Sequence, residues 1–388
     1  MTPTVLIAHT ADYLNAARLA LAFRAVGCGV QALCRRAHPV RRLPFLEAVY
    51  DYSPVTPLRS FCGAIASAAP DLIVACDDWS VRLLHQLYLR EGTRSEAPTP
   101  VQIAIERSLG RMDAYGLLLA RSRLGKVAVM AGVLVPWTAT VASIKQLERW
   151  LRAEGFPAVI KRDHSSGGAG VAIVHDLSGA SHSFRRMIGW RNLARSLKWL
   201  AFEHDTEWAF DLLRSPPTTV SVQRYVPGIA ANCAVACWNG EVLAGICVEA
   251  VATAGPTGRA TVLRVVENRG MFQAAERIVG AFGLSGFCGF DFVLEENTGR
   301  AHLIEINPRA TQTNHLALGS GRDLVAALRV RISGEPLRER QAVTDRDLIV
   351  VYPPRTDGRG VPAPVAAAYH DVPLEAPELI EAISQRRG

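Results

Sequence analysis

Three side chains with hard oxygen ligands, Asp291, Glu305 and Asn307, lie close together in the sequence and are called here the oxygen triad. Glu305 and Asn307 are two residues apart in an apolar run, so on a β-strand they point to the same face. Asp291 lies in the preceding apolar run, and the turn-forming segment 295–300 between the runs predicts a hairpin. Two carboxylates and one amide oxygen suit Mg²⁺, which binds a few protein oxygens together with phosphate oxygens. The triad therefore predicts a site for Mg²⁺ and a nucleotide.

A cation follows the triad. Arg309 is two residues beyond Asn307, and its planar guanidinium suits a phosphate or carboxylate partner. A single acid in an apolar strand usually lies at a sheet edge or faces a turn, and this is the alternative interpretation of Asp291. The convergence of three acceptors beside Arg309 favours the metal site.

A second group of residues predicts contacts to phosphate. The run 156–161 is typical of a short strand that ends in Lys161, and the run 171–174 is typical of the next strand. A glycine- and serine-rich loop between two strands can direct several backbone N–H groups at phosphate oxygens. The candidate residues of this loop are Ser165, Ser166, Gly167, Gly168 and Gly170. No helix is predicted after it, so it is neither a Walker loop nor a dinucleotide fingerprint, and a flexible hairpin tip is the alternative.

Over residues 104–336 the chain resembles the ATP-grasp enzymes, with four motifs in the order of that family. Gly125 and Lys126 resemble the family's first lysine, and the segment 131–136 resembles the Gly-x-x-x-Pro motif that follows it. Lys161 and the loop after it resemble the second lysine and the phosphate-closing loop. The oxygen triad resembles the metal ligands, and the Glu-x-Asn-Pro-Arg pattern is similar to carbamoyl-phosphate-synthetase-like members. The residues that resemble the hinge strand, whose backbone contacts adenine, are Gln223, Arg224, Tyr225 and Val226.

The resemblance implies that ATP lies between two lobes. Lys126 and Lys161 would hold the α- and β-phosphates, and the loop 165–170 would close over the γ-phosphate. The oxygen triad would hold two Mg²⁺ ions with Glu305 bridging them, and Mn²⁺ could replace Mg²⁺. Arg309 and Lys161 are the residues implied in catalysis, with Arg309 as the cation over the transferring phosphate.

The implied reaction is an ATP-dependent ligation. The family typically phosphorylates a carboxylate to an acyl phosphate, and an amine then displaces phosphate. Two alternatives stay open: a bicarbonate or thiol acceptor on the same scaffold, and a non-catalytic ATP-binding module. The module remains an alternative because no acid follows the hinge where many members hold the ribose, and Asn232 is the candidate substitute.

The order of predicted elements indicates an α/β and α+β fold. Strands over 5–8, 30–33 and 71–76, with a helix over 12–26, predict an open parallel sheet. The resemblance implies that this sheet is a Rossmann-like pre-ATP-grasp domain followed by a two-lobed ATP-grasp domain. The expected boundaries are 1–105 for the first domain, 106–336 for the second (155–226 the smaller lid lobe, 227–336 the metal-binding lobe) and 337–388 for a tail that packs on the core.

Side chains at the carboxyl ends of parallel strands are further candidates, because ligands gather there. Asp77 and Asp78 follow the third strand, where we expect them to begin a helix, with amine binding as the alternative. His9, at the end of the first strand, is another substrate-site candidate. The other predicted elements are helices over 101–125, 138–154, 271–282, 316–333 and 377–384, a turn at Asn239-Gly240, and a basic helical insertion over 181–214.

Composition narrows the expected partners and compartment. The chain has 388 residues, 49% of them hydrophobic, a formal net charge of +7 and eight cysteines. It has no apolar run long enough for a membrane span and no signal-like start, so we expect a cytoplasmic protein without a membrane partner. Arginine is spread over many segments without an aromatic-basic module, so we expect no nucleic-acid partner. The scattered cysteines predict reduced thiols and not zinc. The expected partners are a small-molecule carboxylate and amine, and a homodimer is an option.

Overall fold

The computed structural model describes residues 2–93, 97–163, 170–188, 219–255, 257–353 and 367–385. Four residues of the predicted phosphate loop, Ser165, Ser166, Gly167 and Gly168, lie outside the described residues. So does most of the predicted insertion over 181–214. Among the helices of the described ranges, none is long and apolar enough to cross a membrane.

The described residues alternate between helices and strands. The strands are β1 Thr4–Ala8, β2 Gly29–Cys34, β3 Ala48–Asp51, β4 Leu72–Ala75, β5 Thr138–Val141, β6 Ala158–Arg162, β7 Val171–Val174, β8 Val220–Arg224, β9 Gly228–Trp238, β10 Glu241–Thr253, β11 Ala260–Val266, β12 Gly286–Glu295, β13 Ala301–Asn307, β14 Leu348–Val350 and β15 Tyr369–His370. The α-helices are α1 Asn15–Ala25, α2 Pro57–Ala68, α3 Asp78–Gly92, α4 Pro100–Leu109, α5 Tyr115–Leu118, α6 Leu124–Ala131, α7 Ile144–Glu154, α8 Leu177–Ile188, α9 Arg269–Phe282, α10 Leu324–Ser333 and α11 Pro377–Gln385. Short 3₁₀ helices cover Pro39–Arg42, Met112–Ala114 and Arg121–Arg123.

The first sheet is parallel throughout, with the strand order β3-β2-β1-β4. Val5 and Ile7 of β1 face one core cluster, and Leu6 and Ala8 face the other. Helices therefore cover both faces, which explains why β1 is a continuous apolar run. The open parallel sheet predicted from the alternation of strands and helices is confirmed.

The small sheet is antiparallel, with the order β5-β8-β6-β7. α7 packs against it through the buried Leu147 and Leu151. The predicted helix over 138–154 is wrong for the residues of β5, whose alternating β-branched side chains favour a strand. α7 begins later because Ser143 is its N-cap, accepting a hydrogen bond from the Gln146 backbone N–H at 3.3 Å.

The large sheet has seven strands in the order β13-β12-β9-β10-β11-β14-β15. β9 and β10 form the predicted hairpin, which turns at Asn239 and Gly240 with φ of 49° and 86°. Both angles are left-handed, which suits the Asn-Gly pair. α9 packs on one face of this sheet, and α10 packs on the other face beside α1. The hairpin of β12 and β13 carries the oxygen triad.

The predicted single helix over 101–125 is wrong, because the chain turns sharply at Gly110. This residue ends α4 with a φ of 84°, and a Cβ there would lie 2.1 Å from the carbonyl oxygen of Gly283. Only glycine fits such a close approach with a left-handed φ. The chain then passes through two 3₁₀ helices and α5 before α6 begins at Leu124.

The last segments of the chain extend the large sheet and contact elements that flank the first sheet. β14 pairs with β11 and β15, and α11 packs on the 3₁₀ helix Pro39–Arg42. Asp371, beyond β15, pairs with the buried Arg18 of α1 and with His315, whose Nε2 is 2.8 Å from its carboxylate. The domain boundaries expected from the resemblance stay a prediction.

Candidate nucleotide and metal site

The β12–β13 hairpin brings the oxygen triad together. Asp291 lies directly opposite Glu305 in the strand register, and the Asn307 Nδ2 donates a hydrogen bond to Asp291 Oδ2 at 2.9 Å. The residues on either side of Asp291, Phe290 and Phe292, are fully buried in the core. Alternation along β12 therefore turns Asp291 to the opposite face, as the sequence predicts.

The electrostatics of Asp291 favour a bound cation. Burial, together with the neighbouring Glu305 carboxylate, raises the pKa of Asp291 to about 6, although hydrogen bonds from two asparagines oppose the shift. A cation bound beside both carboxylates would stabilise the ionised form of Asp291. With the amide oxygen of Asn307 they form a donor set that fits Mg²⁺. The part of the chain that the structure describes has no metal-competent group of three or more His, Cys, Asp or Glu, so this set needs its amide ligand.

Two cations approach the triad from the small-sheet side. Arg121 pairs with Glu305, with Nη2 2.5 Å from Oε1, and its Nη1 donates to the Arg162 carbonyl at 3.3 Å. The Lys161 Nζ donates to the Ile304 carbonyl at 3.2 Å. Burial lowers the pKa of Lys161 to about 8, helped by the positive charge of Arg121 and opposed by Glu305. Both cations therefore lie beside the triad on the side of the small sheet.

Lys126, the predicted first phosphate cation, is not in this cluster. It is exposed on α6, whereas Arg121 reaches Glu305 from the 3₁₀ helix before α6. Sequence reasoning missed Arg121 because the bends that follow Gly110 are tertiary features. The one signal in the sequence was that Arg121 is a basic residue a few positions before Lys126.

Gly170, the described end of the predicted phosphate loop, accepts a hydrogen bond from the Arg162 backbone N–H at 2.8 Å.

Arg309 is held by a carboxylate from the first sheet. Its Nε is 2.6 Å from Asp78 Oδ1 and its Nη2 is 3.3 Å from Asp78 Oδ2. The same Nη2 donates to Asn307 Oδ1 at 3.0 Å. The structure thus brings Arg309 to the triad, as predicted, but pairs it with an acid that sequence reasoning assigned to a helix start or to an amine.

The predicted hinge joins the small sheet to the large one. The Gln223 side chain is buried, and its Nε2 donates to Thr138 Oγ1 at 2.9 Å. The Arg224 guanidinium pairs with Glu154 at 2.5 Å. Residues 225–226 are partly buried between β8 and β9. The first two side chains make contacts inside the small sheet and α7, so any contact to a base would come from the backbone.

The structure places Asn232 on the metal face instead of at the hinge. Asn232 is the register partner of Asp291 across β9 and β12, and its Nδ2 donates to Asp291 Oδ1 at 2.7 Å. Its amide is therefore directed at a metal-site carboxylate, which corrects its assignment as a ribose contact.

His9, the residue after β1, is part of a buried hydrogen-bond chain. The Val40 backbone N–H donates to His38 Nδ1 at 3.0 Å, and His38 Nε2 is 2.7 Å from His9 Nδ1. This pattern assigns the remaining proton to His9 Nε2, 3.4 Å from Asp77. Burial, reinforced by two nearby arginines, lowers the pKa of His9 to about 3, so it is neutral. Asp77 is the N-cap of α3, accepting from the Ser80 backbone N–H at 2.7 Å, which confirms that prediction.

Part of the chain matches a known domain family. The family model of the ATP-grasp domain matches residues 206–313, a range that holds the hinge, β9, the oxygen triad and Arg309. Residues 206–313 are thus similar to an ATP-grasp domain, in agreement with the resemblance seen in the sequence motifs.

The curated relatives that this chain matches are larger proteins. The arginine-specific carbamoyl phosphate synthase large chain of Geobacillus stearothermophilus is 23% identical over 295 residues, which are 74% of this chain and 26% of that one. The N-terminal section of the carbamoyl phosphate synthase large chain from Methanopyrus kandleri is 24% identical over 182 residues, 46% of this chain and 29% of that one. The chain thus spans less than a third of the length of these relatives.

Solved structures share the fold of this chain at low identity. The biotin carboxylase domain dimer of Hydrogenobacter thermophilus 2-oxoglutarate carboxylase, in complex with MgADP, ADP and bicarbonate, has a TM-score of 0.59 at 15% identity, covering 88% of this chain and 72% of that one. An ADP complex of purK, N5-carboxyaminoimidazole ribonucleotide synthetase, has a TM-score of 0.59 at 14% identity, covering 88% and 80%. The L-amino acid ligase of Bacillus licheniformis has a TM-score of 0.58 at 13% identity, covering 88% and 76%. These similarities confirm the predicted mixed α/β and α+β fold.

Proposed function

We propose that this chain is a Mg²⁺-dependent ligase that uses ATP to phosphorylate a carboxylate and then couples it to an amine, releasing ADP and phosphate. ATP-grasp enzymes use ATP and Mg²⁺, and the neighbours crystallised with MgADP and ADP support the same ligands here. The observation that carries the proposal is the oxygen triad on one face, with Arg121, Lys161 and Arg309 around it.

Each group of side chains would have a separate role in phosphoryl transfer. The oxygen triad would hold Mg²⁺, which when bound neutralises charge on the phosphates. Lys161 and Arg121 are positioned to hold the phosphate chain, and the loop 165–170 would cover it. Arg309 would stabilise charge on the phosphoryl group as the substrate carboxylate attacks it, which leaves an acyl phosphate. An amine then attacks the acyl carbon, and phosphate leaves with the bonding electrons. The amine also releases a proton.

The choice of acceptor is the finer part of the proposal. A biotin carboxylase domain solved with bicarbonate and an L-amino acid ligase both share this fold. A bicarbonate or thiol acceptor is therefore the second outcome that the test must separate. A non-catalytic ATP-binding module is less well supported, since Asp291 and Glu305 are register partners, and burial together with the Glu305 charge raises the pKa of Asp291, which a bound cation would counter.

The remaining parts of the proposal concern compartment and partners. We propose a cytoplasmic enzyme that acts on small molecules, without nucleic-acid or membrane partners. A homodimer is also proposed, supported by the dimeric biotin carboxylase domain among the neighbours. Size-exclusion chromatography with light scattering would overturn the dimer if it gave one chain per particle.

The test is release of ADP and phosphate from Mg-ATP with amino acids and small carboxylates, supplied singly and in pairs. We expect release only when one carboxylate and one amine are present together. Release with bicarbonate or a thiol would assign the alternative acceptor. Tight nucleotide binding without release for any member of the panel would support the binding module. Glu305→Ala is the matched control for contaminating ATPases.

A further inference from the structure

Asp78, the first residue of α3, reaches the metal face through its pair with Arg309. We propose that Asp78 is a positioning residue, which fixes the Arg309 guanidinium at the edge of the oxygen triad, beside the transferring phosphate. The inference rests on the proposed function for the role of Arg309. Its geometric part concerns Asp78, Arg309 and Asn307 and can be tested without turnover.

Each nitrogen of the Arg309 guanidinium donates a hydrogen bond to another group of the protein. Nε and Nη2 contact the two oxygens of Asp78 at 2.6 and 3.3 Å, the bidentate arrangement that fixes an arginine in orientation as well as position. Nη1 donates to the Ala310 carbonyl at 3.1 Å. All three guanidinium nitrogens therefore have protein acceptors, and Asp78 is the charged one.

The two partners are fixed relative to each other. Asp78 is the first residue of α3, which begins at the end of β4. The Ala75 carbonyl of β4 accepts a hydrogen bond from the Ala310 backbone N–H at 3.0 Å. The backbones that carry Asp78 and Arg309 are thus joined beside the ion pair. A shift of the small sheet relative to the large one would leave this pair in place.

A neutral acceptor competes with Asp78 for the same arginine. Arg309 Nη2 also donates at 3.0 Å to Asn307 Oδ1, the oxygen that the triad would offer to a metal. If Asn307 Oδ1 were to hold Mg²⁺, the Asp78 pair would be the charged contact that keeps Arg309 in position, together with the Ala310 carbonyl. Without the Asp78 charge, the arginine would be held mainly by the triad, where its charge also interacts with Glu305. A guanidinium there opposes Mg²⁺ by like-charge repulsion.

The test measures the Mg²⁺ concentration that half-saturates binding of AMP-PNP, a non-hydrolysable ATP analogue, by calorimetry. We expect Asp78→Asn to raise this midpoint about tenfold, the size of one charge-assisted contact. Asp78→Glu should restore part of the effect, because it keeps the charge. Asp113→Asn is the matched control, since Asp113 forms an exposed pair with Arg111 at 2.6 Å, and it should leave the midpoint unchanged.

A double-substitution cycle separates positioning from a structural role. In an Arg309→Ala background, Asp78→Asn should cause no further change of the midpoint. An unchanged midpoint in Asp78→Asn, or the same shift with and without Arg309, would overturn the proposal. If Asp78→Asn does not fold, Arg309→Lys replaces it, since it keeps the charge and loses the fork; a wild-type midpoint there would also overturn the proposal. Phosphate release plays no part in this assay, so a failed acceptor panel would reject the ligase and leave this test intact.

Discussion

The Lys161 ammonium donates a hydrogen bond to the Ile304 carbonyl at 3.2 Å, which joins the end of β6 in the small sheet to β13 in the large sheet. The lysine is buried, and its partner Ile304 is the residue that precedes Glu305 of the oxygen triad. A buried ammonium beside a pair of carboxylates lies between the two sheets, where the proposed nucleotide would bind. Its charge should therefore govern nucleotide affinity.

Lys161→Ala should weaken Mg-AMP-PNP binding by at least about tenfold, because it removes one charged donor to the phosphates. Calorimetric titration measures the change. Lys126→Ala is the control, since Lys126 is exposed on α6 and should bind as the wild type does. Equal losses in the two variants would contradict the assignment of the phosphate cations.

The pKa of Lys161 predicts a pH dependence of nucleotide binding. Burial lowers this pKa to about 8, and phosphate binds the protonated form. Affinity should therefore be full below that value and fall as the pH rises through it. Lys161→Arg keeps its charge at every pH used, so its affinity should stay flat to about pH 9. A parallel decline in both proteins would place the titrating group elsewhere.

Glu305→Ala should lower turnover by about 1000-fold, because the metal face loses one of its two carboxylates. The fold should remain intact, since the side chain is partly exposed and its removal opens no core cavity. Circular dichroism and phosphate release are the two measurements. Glu296→Ala, in the turn of the same hairpin, should retain wild-type turnover. Near-normal turnover in Glu305→Ala would refute the metal assignment.

Gly110→Ala should lower the free energy of unfolding by about 2–4 kcal/mol, since a Cβ would meet the Gly283 carbonyl oxygen at 2.1 Å in a left-handed conformation. Gly125→Ala is the matched control, because Gly125 lies in α6 with open space around it. Alanine there should be neutral or stabilise by up to about 1 kcal/mol. Urea unfolding compares both variants with the wild type, and equal stabilities would contradict this account of the turn.

The sequence predicted the oxygen triad because its placement depends on local rules. Period-two alternation and a turn between two apolar runs predict one hairpin with Asp291 and Glu305 on its two strands, and the register shift after Asp291 completes their pairing. The parallel first sheet and the Asn239-Gly240 turn follow from equally local patterns. These features need no knowledge of distant contacts.

Arg121 and Asp78 could not be found in the same way. Arg121 reaches Glu305 after the chain turns at Gly110, and that turn packs closely against the backbone of Gly283, far along the chain. Asp77 and Asp78 are both acids at a helix start, and local rules do not say which one caps the helix. The placement of Arg309 next to α3 selects Asp78 as the ion-pair partner.

The most direct test of the central claim follows one oxygen atom. A carboxylate substrate identified by the panel is labelled with oxygen-18 in both carboxyl oxygens, and the phosphate released with the amine present is analysed by mass spectrometry. An acyl phosphate retains the attacking carboxylate oxygen, and cleavage by the amine leaves that oxygen on phosphate. We predict one labelled oxygen in each phosphate released by the wild type. Unlabelled phosphate formed together with the coupled product would contradict phosphorylation of the carboxylate.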